Sequence, residues 1–419
     1  MTAPSPTIYR QRDFTLYMIG TFLLNVAIQV QSVAIGWQIY EIDRTPIALG
    51  LVGLSLFLPM FLFILPAGEI CDRHDQRKIL SAAVALEALC ALLFLLFSHH
   101  GLSSTTPFYG VLFLFGIARA FTAPPGQSMV AFLVPPEKLP RAVAMNSSVF
   151  STAVIAGPAI GGFVYALGPV VTYSLCAVCF TLASGLMLTL GGRQHHAGVI
   201  DVSRLERVRE GIAFVRNRPV VLGAISLDLF AVLLGGATAL LPVFARDILH
   251  TGPEGLGVLR SAPAVGAALT ALWLARKPIE RHTGLRMFAA VAVFGVATIV
   301  FGLSKSFFLS FAALFVLGAS DMISVFIRRS LIQMATPDHM RGRVGAVNML
   351  FISASNEMGE FESGFTAFLF GTIPAVIIGG LGTVAVVGLW MKWFPALRQA
   401  DRLTDAAPQE NTPGNQRVP

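Results

Sequence analysis

Charge is scarce in this chain. Asp, Glu, Lys and Arg supply 13% of its 419 residues, about half the roughly 25% carried by a soluble domain. Long polar stretches are lacking too. A non-transporting membrane receptor or scaffold would usually carry a sizeable soluble domain, and none is seen; such a protein stands as an alternative of another class. Catalytic constellations are also missing. There is no Gly-x-x-x-x-Gly-Lys-Ser/Thr loop to cradle phosphates, no His-Glu-x-x-His and no Gly-x-Ser-x-Gly. The eight histidines are scattered, and His99-His100 and His195-His196 read as exposed loop residues. An enzyme, an ATP-driven pump, a metal site and a bound cofactor are therefore not expected. Only four cysteines occur. Cys176-x-x-Cys179 has redox or metal spacing but lies inside LCAVCFTLASGL without a neighbouring His or acid, so it reads as small residues filling a helix interface. No cleavable signal is evident, because the apolar run from Phe14 is too long and lacks an Ala-x-Ala end.

What is present is apolar. Hydrophobic residues make up 55% of the chain and the mean hydropathy is +0.71. This composition predicts an all-α, multi-pass membrane protein. Apolar runs place spans at 14–40, 47–70, 77–98, 106–133, 141–166 and 169–191, then at 219–246, 253–275, 284–304, 306–335, 342–370 and 373–394. Twelve spans in two six-helix bundles follow, at 14–191 and 219–394. The N-terminus, 1–13, is polar and basic, with Arg10 and Arg12. The linker, 192–218, contains RLERVREGIAFVRN, with Leu205, Val208, Ile212 and Val215 at helical spacing. It predicts a short amphipathic helix along the membrane face, read as a solvated linker. The tail, 395–419, is predicted to be disordered.

The basic residues orient these spans. Of the 30 Lys and Arg, Arg44, Arg246, Arg260 and Lys305 fall outside or near it, and Arg119, Arg328 and Arg329 fall within spans. All others lie in segments that both cytoplasmic termini would leave inside. The net charge of +7 thus reports cytoplasmic loops and not a nucleic-acid surface. An internal repeat supports the six-plus-six division. When Pro135 is laid on Pro337, Arg141 meets Arg343, Asn146 meets Asn348, Gly157 meets Gly359 and Gly162-Phe163 meets Gly364-Phe365. In this register Arg119 meets Asp321.

Ionisable groups inside spans cost roughly 3 kcal/mol or more, so each needs a partner, a wet cavity or a proton. Arg119, Asp321, Asp228, Glu357, Glu360 and Glu362 stand there, with Arg328 and Arg329 further along. Interhelical ion pairs, such as Arg328 with an eleventh-span Glu, would be the structural use of these groups. Acids without a counter-charge would be the chemical one, since desolvation favours the protonated carboxyl and lets it carry protons. Asp228, Glu357 and Glu360, then Asp321 with Arg119, are the candidates for proton coupling. In the first span Asn25, Gln29, Ser32 and Gly36 form a polar stripe suited to a cavity or to helix–helix hydrogen bonding. With Arg119, Asp228 and Asp321, the stripe supplies the candidate substrate contacts. Gly157-Pro158-x-x-Gly161-Gly162 in the fifth span permits close packing and a kink.

Between the second and third spans lies Gly68-Glu-Ile-Cys-Asp72-Arg73-His-Asp-Gln-Arg77-Lys. This hairpin resembles the loop signature of the major facilitator superfamily, with Asp75 in place of the usual Gly and Gln76 in place of Arg. The glycine–proline segment of the fifth span is similar to the later part of the drug–proton antiporter motif, with Ala153 where its earlier Gly stands. SNEMGEFESG and SLDLFAVLLGGATALLP resemble the eleventh and seventh helices of the enterobactin-exporter subgroup. The resemblance implies spans one, four, seven and ten around a central site, and Arg119 assisting proton transfer. It also implies that Asp72 meets the start of the eleventh span near Gly342 as a latch, completed by Arg73 and Arg77. It implies a monomeric transporter in the bacterial inner membrane that exports a small organic compound, siderophore-like or drug-like, against protons. Uptake by proton symport is the rival reading.

Overall fold

Prolines at helix starts, where the missing N–H is no loss, and glycines in tight turns divide the apolar sequence into long helices. A computed structural model describes residues 12–191, 204–337 and 340–402. The first half holds α1 (Arg12–Asp43), α2 (Pro46–Arg73), α3 (Gln76–His99), α4 (Thr106–Leu133), α5 (Leu139–Tyr165) and α6 (Pro169–Leu188). After α7 (Arg204–Arg216) come α8 (Pro219–Leu234), the single turn α9 (Leu241–Val243), α10 (Pro253–Arg276), α11 (Thr283–Leu303), α12 (Phe307–Ala335), α13 (Arg341–Phe370), α14 (Thr372–Trp393) and α15 (Pro395–Gln399). No strand occurs among the described residues. Gly168 and Gly371 open α6 and α14 at φ of +113° and +91°, a region that L side chains avoid.

Eleven described helical segments are long and apolar enough to cross a membrane. The thirty-residue α13 is not among them, although at about 1.5 Å per residue it is long enough. Arg341, Arg343, Glu357, Glu360 and Glu362 lower its hydropathy.

In the first half α1 packs on α5 and α6, α3 on α6 and α4, and α2 on α4. In the second, α12 packs on α10 and α11, and α14 on α11, α8 and α13. The halves meet along two seams, α2 on α13 and α5 on α10. Both seams are closed by glycine. A Cβ on Gly162 would stand 2.9 Å from the Cα of Gly257, and one on Gly364 would stand 2.6 Å from the Cα of Gly50. These contacts lie toward the end of the molecule opposite the α2–α3 hairpin.

Three features depart from the sequence reading. The seventh span is broken: after α8, Gly235-Gly236 leads through a 3₁₀ turn (Ala237–Leu240) and α9 to a π-helical turn at Phe244–Ile248. The glycines permit this because α13 and α11 come close. A Cβ on Gly236 would sit 2.7 Å from Ser363 Oγ. The start of the tail is ordered. α15 follows α14, and Thr283 and Gly284 donate backbone N–H groups to the carbonyls of Asp401 and Ala400. The linker helix is docked: Val208 and Val215 pack with Val344 and Val347, and Arg343 pairs with Glu210 at 2.6 Å. Arg10, His195-His196 and residues 403–419 lie outside the described residues.

Candidate functional site

Paired charges occupy the middle of the fold in two sets. The first lies within the second half. Asp228 on α8 is 4% exposed and Arg328 on α12 is 2% exposed, and the two form a buried ion pair. Asp228 is therefore not the uncompensated acid that the sequence suggested, and Arg328 is held by α8 and not by an eleventh-span Glu. Asp321, two turns before Arg328 on the same face of α12, shares a small cleft with Asp228, Ser320 and Ser324. At about 10 Å³ the cleft has room for roughly one water. The charges of Asp228, Arg328 and Arg329 all reach Asp321.

The second set bridges the halves. Arg119 in mid-α4 points its guanidinium at Glu357 in mid-α13, 3.4 Å away. Glu360, one turn further along α13, lies over Gly53 of α2, its carboxylate 3.2 Å from where a Cβ would stand. It feels the charges of Glu357, Arg260 and Arg119. Glu362 turns from this group and accepts from Thr366 of its own helix at 2.7 Å.

The α1 stripe faces the other seam. Ser32 accepts a hydrogen bond from Arg260 of α10 at 2.8 Å, and Gln29 packs where Gly157 leaves space on α5. Asn25 donates to the Thr21 carbonyl of its own helix at 2.7 Å. Gly161 likewise admits Val30 of α1, and Pro158 is buried beside it. Cys176 packs its sulfur against the Ala27 carbonyl of α1, and Cys179 is buried nearby.

At the hairpin end the halves are apart. A cavity of about 770 Å³ opens among α2, α3, α4, α7 and α13, lined by Asp72, Gln76, Ser128, Val208, Gly342 and Met349 among others. That volume lies within the range of small-molecule sites. Gly68 is buried on α2 behind it. Asp72 thus lines the same cavity as Gly342, while Arg73 pairs with Glu69 at 2.5 Å and Arg77 with Asp75 at 3.1 Å. Arg77 also donates to the Leu190 carbonyl at the end of α6. Gln76, in the usual Arg position, accepts from Ser128 of α4 at 2.6 Å.

The opposite end is locked across the halves. Tyr40 of α1 donates to Asp247, Glu41 pairs with Arg246 at 3.6 Å, and Arg246 lies 5.8 Å from the centre of the Trp37 ring.

Sequence reasoning missed several of these residues. Arg260, placed near the outside, stands two turns into α10 on the seam. The signal was its apolar flanks. Glu87 in α3 was overlooked, although it interrupts an apolar run, ALEALCALL, as visibly as any acid considered. Ser147, Ser148, Ser151 and Thr152 form an exposed polar patch on the hairpin-end half of α5.

Comparison with known proteins gives this arrangement its family. The macrolide efflux protein A of Streptococcus pyogenes is 21% identical over 365 residues, covering 84% of this chain and 88% of that one. The enterobactin exporter EntS of Shigella boydii is 24% identical over 386 residues, covering 88% and 85%. A solved bacterial homologue of the lysosomal transporter Spinster, in an inward-facing and occupied conformation, superposes with a TM-score of 0.70 at 16% identity, covering 94% of this chain and 97% of that one. The model of the transmembrane secretion effectors matches residues 3–416, and the chain belongs to that family of major facilitator superfamily transporters, which are not enzymes.

Proposed function

We infer that this protein is a proton-coupled exporter of a small organic or amphipathic compound, siderophore-like or drug-like, working by alternating access. The observation that carries the reading is the asymmetry of the seam between the halves. Glycine contacts and the Tyr40–Asp247 lock close one end, while the other holds a cavity of about 770 Å³ beside Asp72 and Gly342. Midway between them, Arg119 and Glu357 join the halves through an ion pair that opening of that seam would break.

In this reading residues 14–191 and 219–394 are the two moving bundles, joined by 192–218, and α13 is the twelfth membrane-crossing helix despite its acids. Both termini lie in the cytoplasm of a bacterium whose inner membrane holds the protein, because Lys and Arg concentrate at the hairpin end. The cavity then faces the cytoplasm, the side from which an exporter loads. Glu357, Glu360 and Asp321, with Arg119, are the proton-coupling groups, and Asp228 joins them through its pair with Arg328 beside Asp321. Asn25, Gln29 and Ser32 line the substrate path, together with Arg260, which donates to Ser32. Gly68, Asp72, Arg73 and Arg77 with the α5 glycines form the conformational latch. The protein acts as a monomer. The efflux proteins among its relatives support the outward direction. Reconstituted vesicles with an imposed pH gradient, loaded with dyes, siderophores or macrolides, test it. Outward movement against an inward proton gradient is expected. Co-directional movement would establish the symport alternative.

A further inference from the structure

One buried acid lies outside both sets of paired charges and, unlike Glu362, finds no hydrogen bond among the described residues. Glu87 in mid-α3 is fully buried, and neither carboxyl oxygen has a hydrogen-bond partner among the described residues. The elements packed on α3 narrow what can face it. α6 carries no charged residue, and its titratable groups are Tyr173, Cys176 and Cys179. α2 carries charge only near its hairpin end, at Glu69, Asp72 and Arg73. On α3 itself Arg77, Lys78 and His99 stand at the ends, and Cys90 is the titratable neighbour. From α4, which returns antiparallel to α3 and packs along it, come Tyr109 near the far end and Arg119 at mid-helix, level with Glu87, the charge that acts on it.

Arg119 therefore serves an acid on either side of the seam, Glu357 across it and Glu87 in its own half, and its charge also reaches Glu360 beside Glu357. One guanidinium neutralises one carboxylate. The other acid, in an apolar interior, has to hold a proton, since a lone buried carboxylate is strongly disfavoured. In the structure the guanidinium is committed to Glu357.

We propose that Glu87 is the alternative partner of Arg119, a positioning residue that stays protonated while Arg119 bridges to Glu357 and ionises when the seam parts and the guanidinium turns back to it. The inference rests on the transport reading above. In the step, the carboxyl O–H bond of Glu87 breaks, water in the opened seam accepts the proton, and one arginine–carboxylate pair replaces another. Glu357 is left facing a wet seam, where water or a proton satisfies it. Closure reverses each event.

The test uses the full chain in lipid nanodiscs, with spin labels on either side of the α2–α13 seam and distances recorded across a pH titration. Wild-type protein is expected to change its open and closed populations with pH. Glu87→Gln, which cannot ionise, is expected to favour the closed seam by at least about tenfold, a shift of about 1.4 kcal/mol, and to flatten the pH response. Glu87→Met, of similar volume and equally unable to ionise, is expected to do the same and serves where the Gln variant does not fold. Infrared difference spectra supply a second reading: a C=O stretch of a buried protonated carboxyl, present in the wild type and missing from both variants, is expected to vanish as the seam opens. A wild-type pH response retained by both variants, or a carboxyl band that does not change, overturns the role of Glu87. Absence of any pH response or pH-driven transport in the wild type overturns the transport reading itself.

Discussion

Arg119 of α4 and Glu357 of α13 stand 3.4 Å apart, one on each side of the boundary between the two halves. The pair survives only while the halves touch at that depth, so it is differential between states, and a differential contact is what biases a two-state equilibrium. In Glu357→Gln the attraction is lost while the shape is kept. Proton-driven flux in vesicles is expected to fall at least about tenfold, equivalent to about 1.4 kcal/mol, with folded yield unchanged. Full coupled flux would remove Glu357 from the coupling path.

Asp228 and Arg328 form a different kind of pair, buried within one half. Deleting one partner strands the other charge, which costs about 3–5 kcal/mol in buried pairs. Asp228→Asn is expected to lower the thermal midpoint of purified protein, and the double variant with Arg328→Gln to recover most of the loss. Reconstituted Asp228→Asn is also expected to lack proton-driven flux. A single variant as stable as the wild type would deny the pair its structural role.

Much of this was legible in sequence, because period, composition and repeat register act locally. The helices, the repeat linking Gly162 with Gly364, and the mid-helix positions of Arg119 and Glu357 needed only hydropathy and spacing. What escaped was set by contact between distant segments. Arg328 chose Asp228 because α8 packs on α12, a neighbourhood that periodicity does not encode. The break at Gly235-Gly236 was written in the sequence, yet only the approach of α13 and α11 makes it necessary. The order at 400–402 comes from backbone bonds to the start of α11, which polar composition conceals.

Gly364 meets Gly50 with no room for a side chain between them. Gly364→Val is expected to prevent closure at that end and hold the protein open there. Reagent access to a cysteine placed at Ser32 from the outer solution is expected to rise at least about tenfold, again about 1.4 kcal/mol, and transport to stop. Unchanged access would mean that the glycine contact does not control the gate.

Tyr40 donates to the Asp247 carboxylate across the same end. A hydrogen bond to a charged group contributes about 1.5–3 kcal/mol, so Tyr40→Phe is expected to shift the equilibrium by roughly ten- to a hundredfold toward opening there. The same cysteine-access assay reads it. A variant indistinguishable from wild type would assign that closure to glycine packing alone.

Alternating access is tested most directly by two distances measured in one preparation. One label pair, at Leu167 and Phe308, reports the end opposite the hairpin; the other, at Lys78 and Lys277, reports the hairpin end, and all four sites are exposed. As pH or substrate is varied, one distance is expected to lengthen as the other shortens. Two distances that rise together, or that never move, would contradict it.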